Sequence, residues 1–233
     1  MPTVAQRIAQ VREKVERACE RAGREIEDVI VMAATKGRSV PEIVEAVEAG
    51  ISDVGENYVQ ELLDKKGELD EAGYSDICWH AIGHLQRNKA RYAVPICSQI
   101  HSVDSVRLAR EIDKRAARID KVQAVLLEIN IAGEESKFGI APEQAAQLAE
   151  QTMELEHLQL RGLMTMPPYT DNPEDSRPLF KVLRSLAEQL VSLGLPSEAM
   201  SELSMGMSGD YQVAIEEGAT TIRLGTALFG PGR

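Results

Sequence analysis

The sequence predicts an α/β protein that folds as a single (β/α)8 barrel with one extra helix at its N-terminus. Eight short apolar runs alternate with helical patterns along the chain, and this alternation favours parallel pairing of the strands. With 233 residues the chain can build one large core or two small ones. The competing architecture is an open doubly wound sheet, but the first strand is not followed by the glycine-rich fingerprint of dinucleotide-binding sheets. We therefore expect residues 1–233 to form one barrel domain.

The individual elements follow from apolar spacing and from helix-boundary residues. Pro41 and Pro142 suit the first turn of a helix, and Gly50 and Gly218 suit the position after a helix end. Helices are expected at Val4–Ala22, Pro41–Ala49, Tyr58–Lys66, Lys89–Val94, Ser105–Arg118, Pro142–Glu150, Arg177–Leu193 and Asp210–Glu217. Strands are expected at Val29–Thr35, Ile51–Val54, Ile77–Ile82, Gln99–Val103, Gln123–Ile129, Leu158–Leu163, Glu202–Leu203 and Thr221–Leu224.

Composition narrows the classes of function. A net charge of −11 argues against a general nucleic-acid binder and against an anionic membrane surface, and no apolar run is long enough to span a bilayer. The cysteines Cys19, Cys78 and Cys97 are odd in number and widely spaced, which fits a reducing cytoplasm. Cys78 is expected to be a small buried hydrophobe. No spacing of histidine, cysteine and carboxylate residues is typical of a metal site.

Lys36 is the most informative residue for function. It ends the apolar run Val29–Ala34 and precedes a turn at Gly37, so we expect its amine at the carboxyl end of a buried strand, close to low-dielectric walls. Desolvation there favours the neutral amine, which attacks a carbonyl to form a Schiff base. The alternative is a strand-end lysine whose amine extends into water.

Polar residues at other strand ends extend this site, because the chemistry of such barrels lies at the carboxyl ends of the strands. The segment Ser204–Asp210 combines hydroxyls and glycines just before a helix, and Gly225-Thr226 follows the last strand. Loops after the seventh and eighth strands often bind phosphate, so we expect a phosphate site here. The alternative for Ser208 and Asp210 is a plain helix cap.

Arg223 and His80 each allow two interpretations, and Lys137 is an alternative to Lys36. Arg223 lies in the last strand and needs an acceptor if it points inward, or pairs with a helix carboxylate if it points outward. His80 can stack on a planar ligand or can be a satisfied core residue. Lys137 is the rival Schiff-base lysine, but it lies in a loop next to Glu134 and Glu135, which keep it charged.

Several motifs in the order of the chain resemble the pyridoxal phosphate homeostasis protein family, whose members look like the barrel domain of alanine racemase standing alone. The resemblance covers nearly the whole chain and is most specific at Trp79–Lys89 and Leu203–Asp210. The motifs are Ala33-Ala34-Thr35-Lys36, Gly55-Glu56-Asn57, Trp79-His80-Ala81-Ile82-Gly83-His84-Leu85-Gln86-Arg87-Asn88-Lys89, Gly162–Pro168, Leu203-Ser204-Met205-Gly206-Met207-Ser208-Gly209-Asp210 and Ile222–Gly230.

The resemblance implies a role for each site residue. Lys36 would hold pyridoxal 5′-phosphate (PLP) as an internal aldimine, and Arg223 would face the pyridine nitrogen. The phosphate would be bound by Ser204, Gly225 and Thr226 with nearby amides. Asn57 would lie near the ring, and His80 and Met205 would pack around it. The turn departs from the family's frequent Ser-Lys-Thr-Lys-Pro, since this chain has Thr35-Lys36-Gly37-Arg38-Ser39.

Three functions remain open on this basis. The first is a cytoplasmic, monomeric protein of intracellular PLP homeostasis that holds the cofactor with little or no turnover, with PLP-dependent apoenzymes as candidate recipients. A permanently charged arginine cannot accept a proton, so it disfavours a pyridinium and weakens the ring as an electron sink. The second is an amino-acid racemase, which needs a second base. The third is a cofactor-free barrel enzyme that forms a Schiff base with a phosphorylated sugar.

Overall fold

A closed barrel of eight parallel strands forms the centre of the molecule, as the sequence predicts. The computed structural model describes residues 2–134 and 137–231. The strands pair in sequence order and β8 closes on β1, with Met32 opposite Arg223. Their bounds are β1 Ile30–Ala34, β2 Asp53–Glu56, β3 Cys78–Ala81, β4 Gln99–Val103, β5 Gln123–Glu128, β6 Leu158–Met164, β7 Glu202–Ser204 and β8 Thr221–Leu224.

Helices surround the barrel in the described ranges. The predicted extra helix α1 begins with a capping box, in which the Thr3 hydroxyl accepts from the Gln6 amide and the Gln6 side chain accepts from the Thr3 amide. It packs against the helices next to the last strand. The helices are α1 Val4–Ala22, α2 Val40–Glu48, α3 Val59–Glu71, α4 Ala90–Ala93, α5 Val106–Ala117, α6 Ala145–Met153, α7 Arg177–Ser192, α8 Tyr211–Glu216 and α9 Thr226–Phe229.

The helices α3 and α6 extend five and three residues further than predicted, and one strand differs because a polar residue is buried at its end. The strand β2 was expected to end at Val54 but continues to Glu56, whose carboxylate is buried against Lys65. Hydropathy alone assigns a glutamate to a loop, because the local sequence does not show that a lysine from another element will pair with it. The one-turn helix α9 after β8 was not predicted.

Two layers of side chains hold the barrel together. Apolar residues fill the space between strands and helices, including Ile43, Leu62 and Phe180, which are fully buried. The inside of the barrel is partly polar: His101 on β4 lies 2.9 Å from Ser204 on β7, two strands that are not neighbours. This contact therefore crosses the lumen, and the mouth above it is where the strand-end residues meet.

The cysteines are free thiols with different exposure. Cys19 and Cys97 are buried, and burial raises the pKa of the Cys97 thiol to about 12. Cys78 is exposed, so the expectation that it is buried was wrong. It is the first residue of β3, where its side chain reaches the surface at the start of the strand. Across residues 2–134 and 137–231, no helix is long and apolar enough to cross a membrane.

Candidate functional site

Lys36 lies at the barrel mouth, two residues beyond the end of β1. Thr35 is fully buried, whereas Lys36 itself is exposed in a turn with Gly37 at φ 67°. The Lys36 ammonium lies 5.1 Å from the centre of the Tyr58 ring, at a distance typical of a cation–π contact. The expectation that low-dielectric walls surround the Lys36 amine was therefore wrong. The chain leaves the sheet before Lys36, and its ammonium lies on the side of the loop after β2, which carries Tyr58.

A buried ion pair supports the turn that carries Lys36. The Lys65 ammonium donates to Glu56 Oε2 at 2.7 Å and to the Thr35 carbonyl at 2.8 Å. Thr35 donates its hydroxyl to the same Glu56 oxygen at 2.9 Å. On the other side of the turn, Glu61 accepts from the Gly37 amide at 3.0 Å and from Lys65 at 2.8 Å. The residues before and after Lys36 are thus both fixed to α3.

This support was missed by sequence reasoning. Glu61 and Lys65 are spaced i, i+4 on α3, which signals a helix-surface pair. The sequence did not show that Lys65 also reaches the end of β2, because that contact depends on how α3 packs against the barrel.

Asn57 follows β2 and is held close to the next strand-end loop. Its amide donates to Glu56 Oε1 at 2.9 Å, and its side chain is half-buried. A Cβ atom on Gly83 would lie 2.5 Å from the Asn57 carbonyl oxygen. The close approach of the loops after β2 and β3 therefore requires glycine at position 83.

Arg223 points into the barrel, so the outward alternative was wrong. Its side chain donates through Nη1 to Ser204 Oγ at 2.6 Å and through Nη2 to the Thr165 carbonyl at 2.7 Å. Burial lowers the pKa of Arg223 to about 10, while the negative charges of Glu128 and Asp210 act in the opposite direction. The guanidinium is therefore cationic at neutral pH and has donor groups beyond the two that are used here.

Hydroxyl and amide groups converge after β7 and β8. Ser208 Oγ accepts from the amides of Gly225 at 3.2 Å and Ala227 at 3.0 Å. Asp210 accepts from the Met207 amide at 2.7 Å and from the Ser176 hydroxyl at 3.0 Å, which fixes the loop before α8. Thr226 is exposed beside these groups. The structure thus brings the predicted Gly225 and Thr226 together with Ser208.

The predicted Ser204 lies elsewhere. It is fully buried on β7, where its hydroxyl contacts Arg223 and His101 inside the barrel. Met205 is also fully buried and belongs to the hydrophobic layer between strands and helices. His80 is buried inside the barrel, with hydrogen bonds to Asp53 and His101. Their predicted contacts with a ligand remain predictions, and the geometry favours a supporting position for all three.

A further acidic residue at the mouth was not predicted. Glu128 ends β5 and is 3% exposed, and its Oε2 atom has no hydrogen-bond partner among the described residues. Burial raises the pKa of Glu128 to about 7, with a further increase from Asp104 and an opposing effect from Arg223. It lines a cavity of about 270 Å³ with Ile129, Asn130, Lys137, Phe138, Met166, Pro167 and Met207. A glutamate at the end of an otherwise apolar strand was the signal in the sequence.

The loop after β5 lies against the loop after β3. The rings of Phe138 and His84 stack with centres 3.7 Å apart, and His84 Nδ1 lies 3.3 Å from Asp104. The Lys137 ammonium is 2.9 Å from Glu134. The predicted influence of Glu135 cannot be placed, because residues 135 and 136 lie outside the described ranges.

The geometry defines a barrel of the alanine racemase type with a lysine after its first strand, and the family model of the alanine racemase N-terminal domain matches residues 7–232. More particularly, the chain belongs to the family of pyridoxal phosphate homeostasis proteins. It is 46% identical over 228 residues to the protein of that name from Aquifex aeolicus, covering 97% of this chain and 96% of the relative. The Escherichia coli K12 protein of the same name is 39% identical over 232 residues, covering 99% and 97%.

A solved structure extends the comparison to three dimensions. PipY from Synechococcus elongatus PCC7942, in a structure with PLP bound, is 35% identical with a TM-score of 0.84. The match covers 98% of this chain and 100% of PipY. The family resemblance and the barrel inferred from the sequence are therefore both confirmed.

Proposed function

We propose that this protein binds PLP at the barrel mouth and holds it as part of intracellular PLP homeostasis, with little or no turnover. The names of its relatives and the PLP bound to PipY support the ligand. The observation that carries the proposal is that the strand leading to Lys36 lies next to β8, where hydroxyl and amide groups converge. The strands β1 and β8 are neighbours, and a Cβ atom on Gly225 would lie 3.6 Å from the carbonyl oxygen of Ala34, two residues before Lys36.

The chemical groups of the mouth fit this cofactor. PLP supplies an aldehyde that condenses reversibly with a primary amine, and its phosphate dianion requires several donors. Lys36 provides the amine. For the phosphate we propose the Ser208 hydroxyl and the amides of Gly225 and Ala227, with the Thr226 hydroxyl beside them, since an anion can accept these donors in place of the serine oxygen. We propose Ser208 rather than Ser204 for this role, because Ser204 is fully buried inside the barrel, where its hydroxyl contacts Arg223 and His101.

Arg223 is one reason for the proposed lack of turnover. We propose that its remaining N–H groups face the ring nitrogen, with Asn57 near the ring substituents. A guanidinium donates hydrogen bonds and cannot accept a proton at neutral pH, so the ring nitrogen stays unprotonated. An unprotonated ring withdraws electrons weakly, which disfavours removal of a proton from a bound amino acid. The protein then retains the cofactor without converting amino acids.

An amino-acid racemase is the second candidate, and one observation favours it. Racemisation needs a base besides Lys36, and Glu128 is a carboxyl group with a pKa of about 7 in the mouth cavity. Incubation with L- and D-alanine in heavy water tests this. We expect negligible deuterium uptake and negligible interconversion. Exchange with inversion at about 1–10³ per second would establish the racemase instead.

Spectroscopy tests the proposal itself. The protein with added PLP should show visible absorbance from an imine. Borohydride should abolish that absorbance by reducing the imine to a stable secondary amine, and peptide mapping should then place the label on Lys36. The variant Lys36→Ala should lose this absorbance, whereas Lys137→Ala should keep it. A label on Lys137, or no absorbance in the parent protein, would contradict the proposal. The latter result would favour the cofactor-free sugar enzyme.

The proposal also covers the domain organisation, oligomeric state, location and partners of the protein. We propose one barrel domain over residues 1–233 that acts as a monomer in the cytoplasm, where its free cysteines stay reduced. Candidate recipients of the cofactor are PLP-dependent apoenzymes. Mixing the PLP-loaded protein with such an apoenzyme, separated from it by a dialysis membrane or in direct contact, shows whether delivery requires an encounter of the two proteins.

A further inference from the structure

A continuous chain of hydrogen bonds crosses the inside of the barrel beneath Arg223. At one end, Asp53 Oδ1 lies 3.0 Å from His80 Nε2. The other nitrogen of His80, Nδ1, lies 3.0 Å from His101 Nε2. His101 Nδ1 then lies 2.9 Å from Ser204 Oγ, which accepts the 2.6 Å hydrogen bond from Arg223. Five side chains on β2, β3, β4, β7 and β8 therefore form one connected path.

The path runs from the start of the strands to the functional site. Asp53 is the first residue of β2 and its side chain keeps 19% exposure, whereas His101 and Ser204 are fully buried. The two imidazole rings meet edge to face, with an interplanar angle of 78°. Both ring nitrogens of each histidine are occupied by the path, so neither ring is a simple space-filling core residue.

The hydrogens of the path can be assigned from the requirement that each donor has an acceptor. Burial is the main cause that lowers the pKa of His101 well below its usual value, so His101 carries one hydrogen. If that hydrogen is on Nε2, it points to His80 Nδ1, and His80 Nε2–H points to the Asp53 carboxylate. His101 Nδ1 then accepts from the Ser204 hydroxyl, and every donor is satisfied.

The opposite order leaves a buried donor without a partner. If His101 carried its hydrogen on Nδ1, Ser204 Oγ would accept from both His101 and Arg223. Its own hydrogen would then have no acceptor among the described hydrogen bonds, which is unfavourable for a buried donor. Asp53 fixes a hydrogen on His80 Nε2, because a carboxylate accepts hydrogen bonds and cannot donate them, and the need of the Ser204 hydroxyl for an acceptor fixes the hydrogen of His101.

We propose that Asp53, His80 and His101 are positioning residues that fix the Ser204 hydroxyl and, through it, Arg223. With its hydrogen directed to His101, Ser204 presents only lone pairs to the guanidinium. Arg223 is held in one orientation, and its free N–H groups are directed to the mouth. The ligand concerned is the PLP of the proposed function, but the hydrogen order of the path is a property of the protein alone.

Histidine ¹⁵N NMR of the ligand-free protein tests that order directly. At pH 7 we expect hydrogen on Nε2 of both histidines and a neutral His101 ring. A His101 ring with hydrogen on Nδ1, or a doubly protonated His101, would overturn the proposal. This measurement does not depend on PLP, so its failure is distinguishable from failure of the proposed function.

Paired variants then test whether the path acts on the site. His101→Leu removes the acceptor of the Ser204 hydroxyl, and we expect about tenfold weaker PLP binding and a shifted absorbance of the bound cofactor. His101→Asn keeps a side-chain oxygen that can replace Nδ1 and should recover binding to within about threefold of the parent. A merely structural role would give equal losses in both variants, and equal losses would overturn the proposal.

A change at the far end of the path covers the case in which His101→Leu does not fold. Asp53→Ala removes the acceptor at the surface end and should move the His80 hydrogen, with a spectral shift of the bound cofactor in the same direction as for His101→Leu. The control is Glu48→Gln, which removes another carboxylate that accepts a hydrogen bond, from Tyr74, and lies outside the path. An Asp53→Ala protein with unchanged histidine and cofactor spectra, or a control with equal shifts, would refute the proposal.

Discussion

Replacing Glu128 by glutamine should make the stability of the ligand-free protein rise relative to that of the parent as the pH increases from about 4.5 to 8. Burial raises the pKa of Glu128 from 4.5 to about 7, so the folded protein holds a proton that the unfolded chain releases. The neutral form is compatible with the buried position, and that contribution to stability is fully present below pH 4.5. It is lost as the pH rises toward 7, because ionisation then favours the unfolded chain. Glutamine has the same shape and no such ionisation.

The size of the effect follows from the two pKa values. Between pH 4.5 and about 7 the penalty grows at about 1.36 kcal/mol per pH unit, which gives about 3 kcal/mol at pH 8. The glutamine side chain carries two N–H donors, whereas the protonated carboxyl group carries one O–H donor. A buried donor without an acceptor costs about 1–3 kcal/mol. That cost does not depend on pH. The prediction therefore concerns the difference between the two proteins as a function of pH, not its value at one pH.

Urea unfolding at several pH values from 4.5 to 8.5 measures this difference. We expect the free energy of unfolding of Glu128→Gln minus that of the parent to rise across the range and to level off above about pH 8. The other titratable groups are the same in both proteins and largely cancel. A difference that stays constant with pH would refute the reasoning that Glu128 is buried as a neutral acid.

Two further predictions concern the phosphate group and the support of the turn. Ser208→Ala should weaken PLP binding by roughly tenfold and pyridoxal binding much less, because one charge-assisted hydrogen bond to phosphate is lost; equal losses in titrations with both ligands would contradict the phosphate site. Lys65→Met should lower the free energy of unfolding by about 3–5 kcal/mol, since Glu56 is left buried without its cation. The control Lys66→Met breaks the more exposed pair with Asp70 on the same helix and should cost below about 1 kcal/mol in the same urea titration.

The barrel was predictable from the sequence because local patterns determine it. The strands β4 and β8 and the helix α1 have the predicted bounds, and α1 and β8 follow an amphipathic pattern, whereas β4 contains buried polar residues. The prediction ended β2 two residues before its buried Glu56, whereas for β5 it continued one residue past Glu128, to Ile129. In a hydropathy pattern a charged residue marks the end of a strand. In the folded protein such a residue can remain in the strand if a partner neutralises its charge or if it is protonated.

The candidate site was predictable only where its functional groups are close together in the sequence. Gly225 and Thr226 follow directly from the end of β8, and the structure places them beside the predicted phosphate loop. Ser204 and Ser208 cannot be distinguished in the sequence, because which serine faces the mouth depends on the turn at Gly206. That turn has φ 92°, and a Cβ atom there would meet Ala214 at 2.5 Å. The contact of His101 with Ser204 joins residues 103 positions apart, and no local pattern encodes it.

The low-dielectric interior of the barrel acts on Arg223 and Glu128 in a coordinated way. It lowers the pKa of the arginine to about 10 and raises that of the glutamate to about 7. At neutral pH the arginine therefore remains charged, while Glu128 is only partly ionised. The two described hydrogen bonds of Arg223 go to uncharged acceptors, so its positive charge is not cancelled by direct contact with a carboxylate. A mouth with an uncancelled cation and convergent amides favours an anionic ligand, and a cation that cannot accept a proton does not assist proton transfer. The same arrangement thus supports retention of a phosphorylated cofactor more than catalysis with it.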